Sequence, residues 1–325
     1  MTLRLRLHRA AGGCAAVLLL TAAIEAPAQA PNACPPTPAM PSAEQMQAAQ
    51  RSARDHGFLW RLTKDGRSSY LYGTLHVGKL AWAFPGPRLR DALARVDTLA
   101  VEIDLSDPSV TRAMGEASRA PVAAALASPL RERLRRQIAA ACVPEPLMAQ
   151  LHPMMQAITL TVLAGRWEGL DASFAQEIVL GAQARAIQLP IVSLETAQSQ
   201  LDLLMPKDDA KLQHLLRQAL EQLERGRVRP VLRRLAEVWE RSELDALEQY
   251  ERWCECADTA EDRAFLSQLN DARNAPMAER IDRLHIEGKR LLVAVGALHM
   301  TGPQALPRLR AGRGFEGERL TPVSR

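Results

Sequence analysis

The sequence predicts an α/β fold: a central mixed sheet assembled from N- and C-terminal strand–Gly-x-x-His–helix units, with a large helical insertion between them. Two matching stretches carry most of that prediction, Tyr70-Leu71-Tyr72-Gly73-Thr74-Leu75-His76-Val77-Gly78 and Leu291-Leu292-Val293-Ala294-Val295-Gly296-Ala297-Leu298-His299-Met300-Thr301-Gly302. Each is an apolar, partly β-branched run, then Gly-x-x-His, then a second glycine, as expected for a buried strand that ends in a turn. A third apolar stretch, Thr98 to Leu105, closes in the carboxylates Glu102 and Asp104. Between these, residues 129–280 are overwhelmingly helical in pattern, interrupted by one short strand at Pro190 to Glu195. Strands at both ends around a helical block fit one α/β domain over residues 56–325 better than two independent domains.

Taken in order, the chain begins with three arginines before residue 10, a small apolar stretch from Ala10 to Ala23, and Ala28-Gln29-Ala30. This is the layout of a secretory signal peptide over residues 1–30, and it predicts a periplasmic or secreted protein. Pro31 is awkward for the peptidase, so an uncleaved inner-membrane anchor is the alternative. No other apolar run is long enough to span a membrane. Residues 31–55, rich in Pro, Ala and Gln, are expected to form a flexible linker. Asp65-Gly66 between two apolar stretches is a hairpin signal. Helical spacing follows over Arg88 to Val96, and Asp107-Pro108-Ser109 can cap the next helix. Leu203 to Glu224 and Val231 to Trp253 have amphipathic helical patterns. Gln304 to Arg310 is helical, and Phe315 to Thr321 is a last strand. Pro87-Arg88-Leu89-Arg90 and Pro307-Arg308-Leu309-Arg310 follow the two histidine motifs as a faint internal repeat.

Charge and cysteines limit the function classes. Removing residues 1–30 takes three arginines and one glutamate from 41 basic and 37 acidic residues, leaving a net charge of about +2. That balance argues against nucleic acid as a partner. Cys34, Cys142, Cys254 and Cys256 are an even set in an exported chain and favour two disulfides. Because Cys254 and Cys256 are one residue apart, each is expected to pair with a distant cysteine. Cys-x-Cys without a second suitable pair is poor zinc spacing.

The chemistry is expected at the strand ends. Strand alternation would place Glu102 and Asp104 on one face. With His76 and His299 at neighbouring strand ends, an imidazole–carboxylate cluster suits a divalent metal with open positions for water and substrate. The equally simple metal-free reading has one histidine acting as general base on water, oriented by Glu102. Arg273 and Asn274, just before Pro276, break a helical stretch, and the arginine can pin a substrate carboxylate or an oxyanion. His56, His152, His214 and His285 are expected to be bystanders. No Gly-x-Ser-x-Gly, His-Glu-x-x-His or P-loop pattern appears, and Gly312 to Gly317 is a turn despite matching Gly-x-Gly-x-x-Gly.

An ordered set of motifs resembles the TraB/PrgY/GumN family, related to the Tiki metalloproteases, and its exported GumN-like bacterial branch in particular. The set is Tyr72 to Gly78, Val101 to Leu105, Gly169-Leu170-Asp171-Ala172, Ile191 to Thr196 with Gln200, Arg273-Asn274 with Met277, and Val295 to His299 with Gly302. The resemblance implies a fold shared with erythromycin-esterase-like and ChaN-like proteins. It implies an active site of His76, Glu102 and His299, supported by Arg273 and Asn274, with Glu195 holding the insertion and Asp171 capping a helix. It further implies a metal-dependent hydrolase, most plausibly a peptidase, in which His76, His299 and Glu102 bind manganese, cobalt or zinc and the substrate is a peptide or small molecule. The alternatives are a metal-independent ester or lactone hydrolase and a periplasmic peptide- or haem-binding protein. Oligomeric state is not legible.

Overall fold

Asp65 and Gly66 both adopt left-handed backbone, with φ of 52° and 71°. Such a pair makes the tight two-residue turn whose twist matches antiparallel strands. It joins β1 (Phe58–Lys64) to β2 (Arg67–Thr74), pairing Lys64 with Arg67 and Phe58 with Gly73. The structure, a computed structural model, describes residues 34–118 and 126–321, so the expected signal peptide lies outside the described residues. The remaining strands are β3 (Thr98–Val101), β4 (Ile191–Ser193), β5 (Leu291–Gly296) and β6 (Glu316–Arg319).

Their order in the sheet is β4-β3-β5-β2-β1-β6. β4, β3, β5 and β2 run parallel to one another, and β1 runs antiparallel to both β2 and β6. The sheet is therefore mixed, with a large helical insertion before β5, as the sequence predicts. β3 and the first five residues of β5 are wholly buried, which explains their unbroken apolar character. Parallel strands deliver their C-terminal ends to one edge, where open α/β sheets bind ligands. His76, Glu102, Glu195 and His299 each follow the end of one of these strands within three residues.

The helices that cover the sheet share its core, and Trp239 on the Val228–Glu240 helix donates its indole N–H to the Gly73 carbonyl at 2.8 Å. A second apolar cluster lies between the helices Ser128–Ala140, Pro153–Ala164 and Asp209–Glu224, centred on Leu134, Leu160 and Leu216. The pattern over Leu203 to Glu224 divides at Pro206, where Asp208 caps the second helix by accepting from the Lys211 amide. The pattern over Val231 to Trp253 ends at Glu240, where Ser242 takes φ of 57° and reverses the chain. Within the stretch expected to be a linker, Ala43–Arg51 is a helix opened by a Ser42/Gln45 capping box.

The two expected disulfides form, but one pairing differs from expectation. Cys34 bonds Cys142, and Cys254 bonds Cys256 rather than a distant cysteine. Glu255 between them adopts φ of 54°, which folds the three residues tightly enough to bring the Cα atoms within 5.1 Å. The strand carrying Glu102 also ends earlier than predicted, at Val101. Alternation therefore stops before Asp104, whose carboxylate accepts from the Ser106 amide and hydroxyl instead of sharing a face with Glu102.

The loop carrying His76 is held by Gly78, which exchanges both backbone hydrogen bonds with Asp171 at 2.9 and 2.8 Å. A Cβ on Gly78 would lie 2.1 Å from the Phe174 carbonyl oxygen, so only glycine permits this approach. Gly78→Ala is expected to lower stability by roughly 1–3 kcal/mol in urea unfolding. Gly115→Ala is the control, since nothing lies within 4 Å of a Cβ there and alanine favours its helix.

Candidate active site

Glu102 is the first residue beyond β3, and its carboxylate reaches sideways across the ends of β5 and β4. Its Oε1 accepts from the Gly296 amide at 2.7 Å. Its Oε2 accepts from the Arg273 guanidinium, with Gln200 Nε2 at 3.4 Å. Arg273 also donates through Nε to Glu195 Oε1 at 2.9 Å and through Nη1 to the Leu269 carbonyl at 2.9 Å. A guanidinium fork suits this geometry because its planar donors can serve two carboxylates and a carbonyl at once. Burial opposes ionisation of Glu102, but His299, Arg273, His76 and the Gly296 amide outweigh it and hold the carboxyl down to about 2. Burial likewise opposes the charge on Arg273, and Glu195 and Glu102 overcome it, so its pKa is raised.

His299 is 2% exposed in the short turn after β5. Its Nδ1–H donates to Asn274 Oδ1 at 2.7 Å, which leaves Nε2 as the basic nitrogen, 3.6 Å from Glu102 Oε1. Burial dominates its titration and pushes it down to about 4, so the ring is neutral at ordinary pH. His76 behaves oppositely. It is largely exposed, its Nδ1 makes an ion pair with Glu177, and that carboxylate is the main reason its pKa is pushed up to about 9. The three groups converge on Gly296: a Cβ there would sit 3.2 Å from Glu102 Oε1, 3.6 Å from His299 Cδ2 and 3.7 Å from His76 Nε2. Glycine keeps that space open at the centre of the cluster.

All five expected residues, His76, Glu102, Arg273, Asn274 and His299, thus gather at one sheet edge. Arg273 and Asn274 do not break a helix as anticipated. They lie in the first turn of the helix Asp271–Ile286, with Pro276 inside it. Glu195 and Glu177 complete the arrangement and were not among the predicted site residues. Glu195 does join the insertion to the sheet, through Arg273. Glu177 left a sequence signal only as an acid in the first turn of the helix Gln176–Ala186, shortly after Gly169-Leu170-Asp171. Asp171 caps as expected, accepting from the Ser173 amide at 2.9 Å. His56 bonds the Glu240 carbonyl, His152 accepts from the Met154 amide, and His214 faces Asp262, all away from this cluster.

The expected metal centre does not form. Among the described residues no group of three or more His, Cys, Asp or Glu side chains is arranged to hold a metal ion. The donor set explains why: both Glu102 oxygens are engaged, His76 is tied to Glu177, and the cation beside the carboxylate is the Arg273 guanidinium. The assignment of His76, His299 and Glu102 as ligands for manganese, cobalt or zinc is therefore corrected. With it fall the metal-binding and metalloprotease descriptions and the metal-dependent peptidase expectation. What the arrangement supplies is a neutral imidazole, an imidazolium and a fixed carboxylate around one open point.

Arg273 dominates the electrostatics of this edge. Arg273→Met leaves Glu102 and Glu195 buried without a counter-charge and is expected to cost about 3–5 kcal/mol at neutral pH. The native pairing depresses the Glu102 pKa, so its contribution is present above about 4.5 and lost as pH falls towards about 2. In Arg273→Met the Glu102 carboxyl protonates more readily, and the gap to wild type narrows on acidification. Urea unfolding of both proteins from pH 7 to pH 3 checks this, and a gap that stays constant contradicts it.

Neither the curated proteins nor the solved structures include a match to this chain. The family model described as TraB/PrgY/gumN matches residues 58–319, from the start of β1 to the end of β6, and so includes every residue of the cluster. The chain belongs to the TraB/PrgY/gumN family.

Proposed function

We propose that the cluster is the active site of a metal-independent hydrolase acting on a carboxylic ester or lactone. The observation that carries this reading is the convergence of Glu102 Oε1, His299 and His76 Nε2 beside Gly296, where burial pushes His299 down to about 4 and the Glu177 carboxylate pushes His76 up to about 9. Groups of one type pushed apart by their surroundings supply a base and an acid at the same pH. His299 Nε2 takes a proton from water as the water oxygen bonds to the carbonyl carbon, and Glu102 Oε1 stabilises the imidazolium that forms. His76, held through Nδ1 by Glu177, donates its Nε2 proton to the departing oxygen as the carbon–oxygen bond breaks. Asn274 fixes the His299 tautomer, and Arg273 keeps Glu102 ionised and in place. The leader-like residues 1–30 and the two disulfides support an exported protein of the GumN-like branch, with residues 56–325 as the catalytic domain.

Rates are to be followed by proton release on a panel of aliphatic esters and lactones. Activity is expected to rise through about pH 4 as His299 loses its proton and to fall above about pH 9 as His76 loses its own. His299→Ala and His76→Ala each lower kcat by roughly 10²–10⁴-fold. Glu177→Gln moves the alkaline limb to lower pH because it removes the charge that holds the His76 proton. Chelation leaves the rate unchanged. Activity that survives His299→Ala, or an alkaline limb unmoved by Glu177→Gln, contradicts the assignment.

A further inference from the structure

The opposite edge of the sheet holds a cavity that this chemistry does not use. It lies where the β1–β2 turn meets the end of the Asp271–Ile286 helix, at the N-terminal ends of β2 and β5. The six residues of β5 separate it from His299 by roughly 20 Å. Its volume is about 550 Å³, within the range of small-molecule sites.

His285 lines this cavity and is 2% exposed, yet neither ring nitrogen has a hydrogen-bond partner among the described residues. Nε2 faces Asp65 Oδ2 across 3.8 Å, too far for a hydrogen bond. Phe315 packs edge-on against the ring at 4.9 Å and holds its orientation. Buried polar groups are normally satisfied, so an imidazole left this way at a cavity wall is prepared for a ligand.

The charges around it are unbalanced. Asp282 is already matched by Arg310 at 2.7 Å and Arg313 at 2.9 Å. Lys64 donates only to the Arg313 carbonyl, and Arg67 makes no ion pair among the described residues. These two cations and the exposed Asp65 carboxylate surround the buried imidazole, while exposed Ile286 supplies an apolar wall.

We propose that this cavity binds a small phosphate monoester. With Asp282 matched by its arginines, Lys64 and Arg67 face only the exposed Asp65 carboxylate, so the lining keeps a net positive charge for a phosphate, whose oxygens accept charge-assisted hydrogen bonds from Arg67 and Lys64. His285 donates the third hydrogen bond, and the organic part lies against Ile286. The site is independent of the hydrolytic reading, since it shares no residue with it.

The test is a titration of the full chain, carrying ¹⁵N-labelled histidine, with phenyl phosphate. The His285 ring resonances are expected to shift saturably at millimolar ligand while those of His76 and His299 stay in place. Arg67→Ala is expected to weaken the binding roughly tenfold or more, the loss of one charge-assisted contact. No saturable shift at His285, equal affinity in Arg67→Ala, or an equal response to phenol overturns the proposal.

Discussion

The Arg273 guanidinium set between Glu102 and Glu195 is the constraint on which the rest of the site depends. It joins the end of β3, the residues after β4 and the helix that leads into β5, three parts of the chain far apart in sequence. Without it Glu102 would lie buried with no guanidinium beside it, and desolvation would favour its protonated form. With the guanidinium in place, Glu102 keeps its charge, turns Oε1 to the Gly296 amide and faces His299. Asn274, the next residue on the same helix, then sets the His299 tautomer. One helical turn therefore fixes the charge of Glu102 and the proton position of His299.

This arrangement also explains why a metal centre, a natural reading of two histidines and a glutamate, does not form. A cation site needs lone pairs converging on one point, and here the lone pairs of Glu102 are spent on the guanidinium and a backbone amide. The surroundings separate the two histidines instead: burial strips the proton from His299, and Glu177 holds one on His76. Similar residues at similar strand ends thus acquire different chemistry from what lies next to them.

Much of the fold was legible in the sequence, for local reasons. Asp65-Gly66 specifies its own turn, and the uninterrupted apolar character of Leu291 to Val295 marks a strand covered on both faces. His76, Glu102 and His299 could be named because parallel strands end together, so residues just past their ends must meet. Arg273 and Asn274 reach them from a helix and were named from the local sequence before Pro276 and the family resemblance. Glu195 was expected to hold the insertion but not to sit at the site, and Glu177 was not expected at all, because their places there depend on partners from other segments, Arg273 for one and His76 for the other. Asp104 was misplaced because strand alternation holds only while the strand lasts, and it stops at Val101. The Cys254–Cys256 bond escaped because it rests on an unusual backbone angle at Glu255.

Nitrogen NMR of histidine-labelled protein at neutral pH tests the central claim most directly, since it reads the protonation of His76 and His299 in the same sample. The account predicts an imidazolium at His76 and a neutral ring protonated on Nδ1 at His299. Two rings in the same charge state, or a His299 protonated on Nε2 alone, would contradict it.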